Sequence, residues 1–143
     1  MADVVWGLHT APDSLPALLT HMRDHAYQVL PPAGLAIDFG VTPEVPTLHP
    51  SAEVNQSLYL IYKECLHNVV KHAHGASQVV VRLSYEAGLL CLRVRDDAPG
   101  PAAPSRPGGQ GLRNMRQRAE SVGGTFRAGA GSTGFEVAVG LPV

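Results

Sequence analysis

Residues 58–74 read LYLIYKECLHNVVKHAH, and this stretch decides how the rest of the chain folds. Its apolar side chains recur every three or four residues, which is the spacing of a helix with one face in a hydrophobic core. Two polar residues on a single face, Glu64 and Asn68, interrupt the pattern one turn apart, and Lys71 and His72 follow one turn later. The stretch therefore predicts a buried helix that carries a polar stripe. The predicted core-facing residues are Leu58, Ile61, Cys65, Leu66, Val69 and Val70.

The polar stripe combines a carboxylate with a carboxamide, a pair that suits chemistry on a metal ion and a phosphate. Glu64 can hold a proton or polarise a nucleophile, and Asn68 offers a neutral oxygen to a hard cation such as magnesium. An ordinary half-exposed helix surface would show the same residues, so the helix alone leaves both interpretations open. A zinc site is disfavoured because the thiol and imidazoles nearby are spread around the helix axis. These residues are Cys65, His67, His72 and His74.

The length and composition of the chain indicate one globular domain of ordinary size. Its 143 residues are 45% hydrophobic and 16% charged, and the formal net charge is −1. This charge gives no general reason to expect binding to nucleic acid or to a membrane surface. No apolar run approaches the ~20 residues of a membrane-spanning helix, and the N-terminus lacks the features of a signal peptide. The two cysteines lie in apolar patterns and are expected to be reduced, buried thiols of a cytoplasmic protein.

Apolar periodicity and turn residues predict the elements around the central helix. A first helix is predicted over residues 14–30, with its cap at Asp13 or Ser14 and its end at two prolines. The central helix should begin at Ser51 and end at Gly75. The other predicted elements are a strand near 35–39, an antiparallel hairpin of strands 79–85 and 90–94 that turns at 86–88, a helix over 111–121, and strands near 126 and over 135–141.

Residues 96–111 contain features that suit a nucleotide. Asp96 lies where a strand ends, and a carboxylate there can accept a hydrogen bond from an adenine amino group. Residues 98–110 include four prolines and three glycines, so they predict a loop. Gly109 and Gly111 let the backbone approach a phosphate, and the helix that follows directs its free N–H groups toward the anion. The sequence contains neither the P-loop signature nor the Rossmann fingerprint.

Three motifs together resemble the ATP-binding domain shared by bacterial sensor histidine kinases, DNA gyrase and the Hsp90 chaperones (the GHKL or Bergerat fold). ECLHNVVKHA (64–73) is similar to the kinase N box, E-x-x-x-N-x-x-K/R-H-A. RVRDDAPG (93–100) is similar to the D-x-G-x-G box, with Ala98 in place of the first glycine. GGQGLRNMRQRAESVGGTF (108–126) is similar to the last glycine box, G-x-G-L-x-N-M-x-x-R-x-x-x-x-G-G. The resemblance covers residues 34–143, and residues 1–33 resemble the connector from a dimerisation domain.

This resemblance implies an α+β fold, a two-layer sandwich in which a mixed, mostly antiparallel sheet packs on about three helices. It also implies a role for each matching residue, with Mg-ATP bound between the helices and a lid formed by residues 98–110. Glu64 would be the catalytic general base or polariser, and Asn68 would ligate Mg²⁺. The other nucleotide-binding residues would be Lys71 and His72 near the phosphates, Asp96 at the adenine, and Gly100, Gly109, Gly111 and Leu112 around the triphosphate.

The implied partners are a dimerisation domain that carries the phospho-acceptor histidine and, downstream, a response regulator. None of the seven histidines of this chain is followed by an acidic residue, so the acceptor is expected on a separate domain. The implied location is the cytoplasm, with no direct membrane contact by this chain. Two alternatives remain at this point: an anti-sigma-factor serine kinase of the same fold, and a non-enzymatic interaction module in which the Asp96–Gly100 box is degenerate.

Overall fold

The computed structural model describes residues 14–99, 109–130 and 134–143. Three α-helices and five strands lie in these residues, together with short 3₁₀ turns at Pro31–Ala33 and Val45–Thr47. The predicted α+β class is confirmed. In chain order the elements are α1 (Leu15–Val29), β1 (Ala36–Val41), α2 (Ala52–His72), β2 (Gln78–Glu86), β3 (Leu89–Asp96), α3 (Gly109–Ser121), β4 (Thr125–Ala130) and β5 (Phe135–Pro142).

The five strands form one mixed sheet in the order β1-β2-β3-β5-β4. Only β1 and β2 run parallel, and every other neighbouring pair is antiparallel. The predicted hairpin of β2 and β3 is confirmed, and its turn has positive φ at Ala87 and Gly88. Because side chains alternate between the two faces of a strand, every second residue of β2, β3 and β5 reaches the same side of the sheet, and these residues are mostly apolar. The buried set includes Val79, Val81, Leu83, Leu90, Leu92, Val94, Val137, Val139 and Leu141.

The helices cover this apolar side and share a single hydrophobic core with it. Ser14 caps α1 by accepting from the Ala17 N–H, as predicted from the sequence. The inward residues of α1 are fully buried and belong to the same core as those of α2: Leu15, Leu18, Met22 and Ala26. The Tyr62 hydroxyl of α2 also donates a 2.7 Å hydrogen bond to the Met22 carbonyl of α1. The division of the chain at residue 33 stays a prediction.

Two residues that the apolar patterns of α2 and β2 would place in the core are instead exposed. Val70 is 43% exposed, because it follows Val69 by about 100° around α2 and so points away from the sheet. Tyr85 is 40% exposed, since it lies next to the hairpin turn at the end of the sheet. The other five predicted core residues of α2 are buried. The predicted buried face of α2 was therefore correct at every position except Val70.

Two helix boundaries differ from the predictions. α2 ends at His72 with Ala73 as its cap, and the left-handed Gly75 (φ +83°) follows two residues later. α3 begins at Gly109, so the last two residues of the predicted 98–110 loop are helical. The Gln110 side chain also donates a 3.0 Å hydrogen bond to Asn114 Oδ1 one turn along α3.

Candidate functional site

The beginning of α3 lies directly against the polar stripe of α2. A Cβ placed on Gly111 would be 2.5 Å from Glu64 Oε2 and 3.4 Å from Asn68 Nδ2. No side chain larger than hydrogen fits there without moving the carboxylate. The structure thus brings Gly111 of α3 to Glu64 and Asn68 of α2, as the motifs predicted when they assigned the three residues to one site.

Buried side chains beneath the site hold α2 and α3 together. Cys65 Sγ lies 3.6 Å from Met115 Sδ, and both side chains are almost fully buried. Burial, with a smaller contribution from the neighbouring Glu64, raises the pKa of the Cys65 thiol well above its usual range. Cys65 therefore remains a neutral packing residue, and it is free, as predicted. Cys91 is also free but only half-buried, so the prediction that it is buried holds only in part.

Asp96 occupies the last position of β3 with its side chain turned into the molecule. It is only 2% exposed, and its Oδ1 accepts a 3.0 Å hydrogen bond from the Ala98 N–H. Ala98 replaces the first glycine of the D-x-G-x-G box. Among the described residues, positive φ outside glycine occurs at Ala87 and not at Ala98. The alanine therefore introduces no left-handed backbone strain at this point.

The neighbouring Asp97 points the other way and fastens the loop before β2. Its Oδ1 accepts from the backbone N–H groups of Ser77 (2.7 Å) and Gln78 (3.0 Å), and its Oδ2 accepts from the Ser77 hydroxyl (2.7 Å). These hydrogen bonds, led by the one from the Ser77 hydroxyl, lower the pKa of Asp97. Sequence reasoning gave Asp97 no role, although the alternation of a strand requires that only one of two successive aspartates can turn inward.

Two glycines mark close contacts around the end of β3. A Cβ on Gly75, after α2, would lie 3.1 Å from Pro99. The α-carbon of Gly134 sits against the Asp96 carbonyl, so tightly that a side chain there would overlap it. These contacts were not predicted, because nothing in the local sequence indicates which distant backbone a glycine will meet.

The remaining predicted site residues lie at different depths. Lys71 is exposed and His72 is half-buried at the end of α2, while Leu112 is half-buried and packs against the core from α3. Gly109 is the first residue of α3. Gly100 and most of the predicted lid lie outside the described residues. Of the four residues weighed as a zinc cluster, Cys65 points into the core whereas His67 and His74 are exposed.

The sequence of the chain matches the model of one family of ATPases. The model of the histidine kinase-, DNA gyrase B- and HSP90-like ATPases matches residues 53–143, well over half of the chain. The chain belongs to this family. Among the relatives of this domain are proteins named as histidine kinases.

The relatives of the domain include named sensor proteins. The nitrate/nitrite sensor protein NarQ of Escherichia coli is 34% identical over 113 residues, which cover 78% of this chain and 19% of NarQ. The sensor histidine kinase YxjM of Bacillus subtilis is 29% identical over 126 residues, 87% of this chain and 30% of YxjM. The chain thus spans less than a third of the length of the curated relatives that it matches.

A solved structure shows the same fold as the domain. The full-length structure of ShkA, in complex with AMPPNP, superposes with a TM-score of 0.71 at 22% identity and covers 92% of this chain and 30% of ShkA. The described part of the domain contains no helix of sufficient length and apolarity to cross a bilayer.

Proposed function

We propose that this chain is the ATP-binding catalytic part of a sensor histidine kinase, which positions Mg-ATP for phosphoryl transfer to a histidine on a separate dimerisation domain. The observation that carries the proposal is the contact of Gly111 with Glu64 and Asn68. A carboxylate, a carboxamide and a helix N-terminus meet there, which is a combination that can accommodate a metal-bound phosphate.

The buried carboxylate of Asp96 supports a role in adenine recognition. The Ala98 N–H occupies its Oδ1, and a carboxylate oxygen has lone pairs for more than one donor. An adenine amino group is a donor, whereas guanine carries an acceptor carbonyl at the corresponding position. The site should therefore select adenine. The complex of the structural neighbour ShkA with AMPPNP is consistent with this assignment.

The donor set of α2 fits a magnesium ion. Asn68 carries a carboxamide one turn from the Glu64 carboxylate, with its Nδ2 nearest to Gly111. A flip of this amide would turn its oxygen toward the site, and Mg²⁺ prefers oxygen ligands. In the proposed function Asn68 would hold Mg²⁺, which, when bound, neutralises phosphate charge. Lys71 and His72 lie one turn further along α2 and would contribute charge near the phosphates.

Glu64 is the residue of this chain that can assist the nucleophile. Its carboxylate borders Gly111 and is 34% exposed, so an imidazole supplied from outside can reach it. The role of the protein in such a reaction is to align the imidazole nitrogen with the γ-phosphate, because positioning and electrostatics dominate phosphoryl transfer. The proposed partners are the dimerisation domain and, after it, a response regulator. The proposed location is the cytoplasm, without nucleic acid and without membrane contact by this chain.

A thermal-shift titration tests this proposal. Mg-ATP at a hundredfold over Kd should stabilise the chain by about 2.7 kcal/mol, and Asn68→Ala should weaken Mg-ATP binding much more than binding of magnesium-free nucleotide. The matched control is Gln56→Ala, since Gln56 is exposed on the same helix about 18 Å before Asn68. No stabilisation at millimolar nucleotide would contradict the proposed function. Equal weakening with and without magnesium would contradict the metal role of Asn68.

A further inference from the structure

The last strand of the sheet, β4, has an open outer edge. It pairs with β5 on one side, and among the described residues no strand pairs with its other side. In this part of the chain no backbone group of β4 bonds to another backbone group outside the ladder with β5. Because every second residue of an edge strand directs its N–H and C=O outward, β4 presents a row of unpaired donors and acceptors.

This edge lacks the features that usually protect the edge of a sheet. Residues 127–130 of β4 are all exposed, whereas five of the six residues of β1, at the opposite edge, are half-buried. β4 contains no proline, and Arg127 is its single charged residue, although edges are commonly protected by prolines and charges. A Cβ on Gly129 would meet no atom of the described chain within 4 Å beyond its immediate neighbours. The strand therefore has room for a further strand beside it.

The surface beside this edge is basic. A cavity of about 490 Å³ borders β4, and its charged lining residues are Arg95, Arg116, Arg127 and Glu136. Glu136 already lies 3.4 Å from Arg93, with which it forms an ion pair. Within the described residues no carboxylate lies within 4 Å of the guanidinium of Arg95 or Arg127. The unneutralised positive charge favours an anionic partner.

The helix side of the same edge is mostly apolar. Phe126, Ala128 and Ala130 alternate with Arg127 along β4 and turn toward the side of the sheet that the helices cover. Phe126 is buried beneath Arg116 of α3, whereas the two alanines are exposed. A strand added to β4 would therefore meet apolar side chains on one face and arginine on the other. A segment in which apolar and acidic residues alternate matches this pattern.

We infer that the edge of β4 binds an extended segment of a partner protein in which apolar and acidic residues alternate. The segment adds to the sheet as a further strand, with its acidic side chains beside Arg127 and its apolar ones beside Ala128 and Ala130. A second copy of this chain is disfavoured, because antiparallel pairing of two β4 strands would bring their Arg127 side chains together on one face. The edge contains none of the residues assigned to the nucleotide, so binding there is separate from the proposed function.

A synthetic peptide of alternating valine and glutamate with blocked termini tests the inference. Its binding to the chain, measured by fluorescence anisotropy without nucleotide, should be saturable and should slow hydrogen exchange of the outward amides of β4. The control is the same peptide with N-methyl groups on the amides that would face β4. It keeps the charge but cannot donate to the strand, so it should not bind. A peptide of alternating valine and lysine should also fail to bind.

Charge reversal at Arg127 tests the role of the arginine. Arg127→Glu should weaken binding of the glutamate peptide about tenfold, because an attractive cross-strand pair becomes a repulsive one, and it should bind the lysine peptide better than wild type does. This gain separates altered recognition from a loss of folding. The matched control is Arg118→Glu, the same charge change at an exposed residue of α3 that does not line the cavity. Its affinity for the glutamate peptide should stay within about twofold of wild type.

Several results would overturn the inference and leave the proposed function standing. Absence of saturable binding at millimolar peptide would show that the edge takes no acidic strand. Equal binding of the methylated and unmethylated peptides would show that charge alone attracts them. Equal binding of the glutamate peptide by Arg127→Glu and wild type would exclude the arginine from recognition. Outward amides of β4 that are already protected without peptide would show that a second copy or the chain itself occupies the edge.

Discussion

Replacement of Gly111 by alanine separates the stability of the fold from the geometry of the candidate site. The added methyl carbon would be 2.5 Å from Glu64 Oε2, about 1 Å inside an ordinary van der Waals contact. The backbone of α3 is packed against the core, but the Glu64 side chain is flexible and one-third exposed. The carboxylate should therefore rotate away, and α3 should stay in place.

Two opposing effects determine how Gly111→Ala should change the free energy of unfolding. Alanine in place of glycine within a helix stabilises by up to about 1 kcal/mol, whereas crowding at a packed contact costs about 1–3 kcal/mol if nothing yields. Because Glu64 can yield, the free energy of unfolding should change by less than about 1 kcal/mol, or roughly 3 °C in Tm. Transfer of phosphate to a supplied acceptor domain should fall about a hundredfold, the order of loss for a 1 Å misplacement.

A double-mutant cycle on thermal stability tests the steric argument for Gly111. In a Glu64→Ala background the carboxylate is absent, so Gly111→Ala should give its full helix stabilisation and a higher Tm. The control is Gly129→Ala, because a Cβ at Gly129 meets no atom within 4 Å. The reasoning is refuted if Gly111→Ala leaves phosphoryl transfer intact, or if it changes Tm equally in both backgrounds.

Three further predictions concern base selection, pH dependence and the acceptor. ATP should bind about tenfold or more tighter than GTP, because the Asp96 carboxylate accepts a hydrogen bond from the amino group of adenine and would face an acceptor carbonyl in guanine, a difference of about 1–3 kcal/mol; in competition assays Asp96→Ala should reduce that ratio, and equal binding of both nucleotides by wild type would exclude the adenine assignment. The lowered pKa of Asp97 means that its stabilisation is present above the unfolded-state pKa of about 3.9 and is lost as pH falls through the native value. Urea unfolding should therefore show Asp97→Asn to be less stable than wild type at pH 7 and to approach it near pH 2, whereas a constant difference would rule out this linkage. Finally, incubation with labelled Mg-ATP should leave the chain by itself unlabelled on histidine, since none of its histidines has an acidic residue after it; acid-labile label on the isolated chain would show that one of them is an acceptor.

The sequence predicted the elements that depend on local patterns. Helical spacing located α1 and α2, and the alternation of Val79, Val81 and Leu83 identified a strand with one buried face. The polar stripe of α2 was also visible, because a charged residue such as Glu64 stands out among core positions. These predictions succeeded because periodicity reflects burial directly.

The contacts that assemble the site could not be predicted from local patterns. Nothing near Gly111 indicates that it meets Glu64, since that contact depends on how α3 crosses α2. The clamp formed by Asp97 and Ser77 was missed for the same reason, because the two residues lie twenty positions apart on different elements. The start of α3 was predicted two residues too late. Glycines predict a loop from sequence even where, as here, they form the first turn of a helix.

The contact between Cys65 of α2 and Met115 of α3 means that the reactivity of a native thiol can report how the two helices pack. Cys65 meets a thiol reagent only when the core around it opens, because its Sγ is buried against Met115 of α3 and burial keeps the thiol protonated. Cys91 lies on a strand of the sheet and is half-buried, so it provides an internal reference within the same molecule. The reactivity of Cys65 relative to that of Cys91 thus reports the rate at which α2 and α3 separate, without an engineered label.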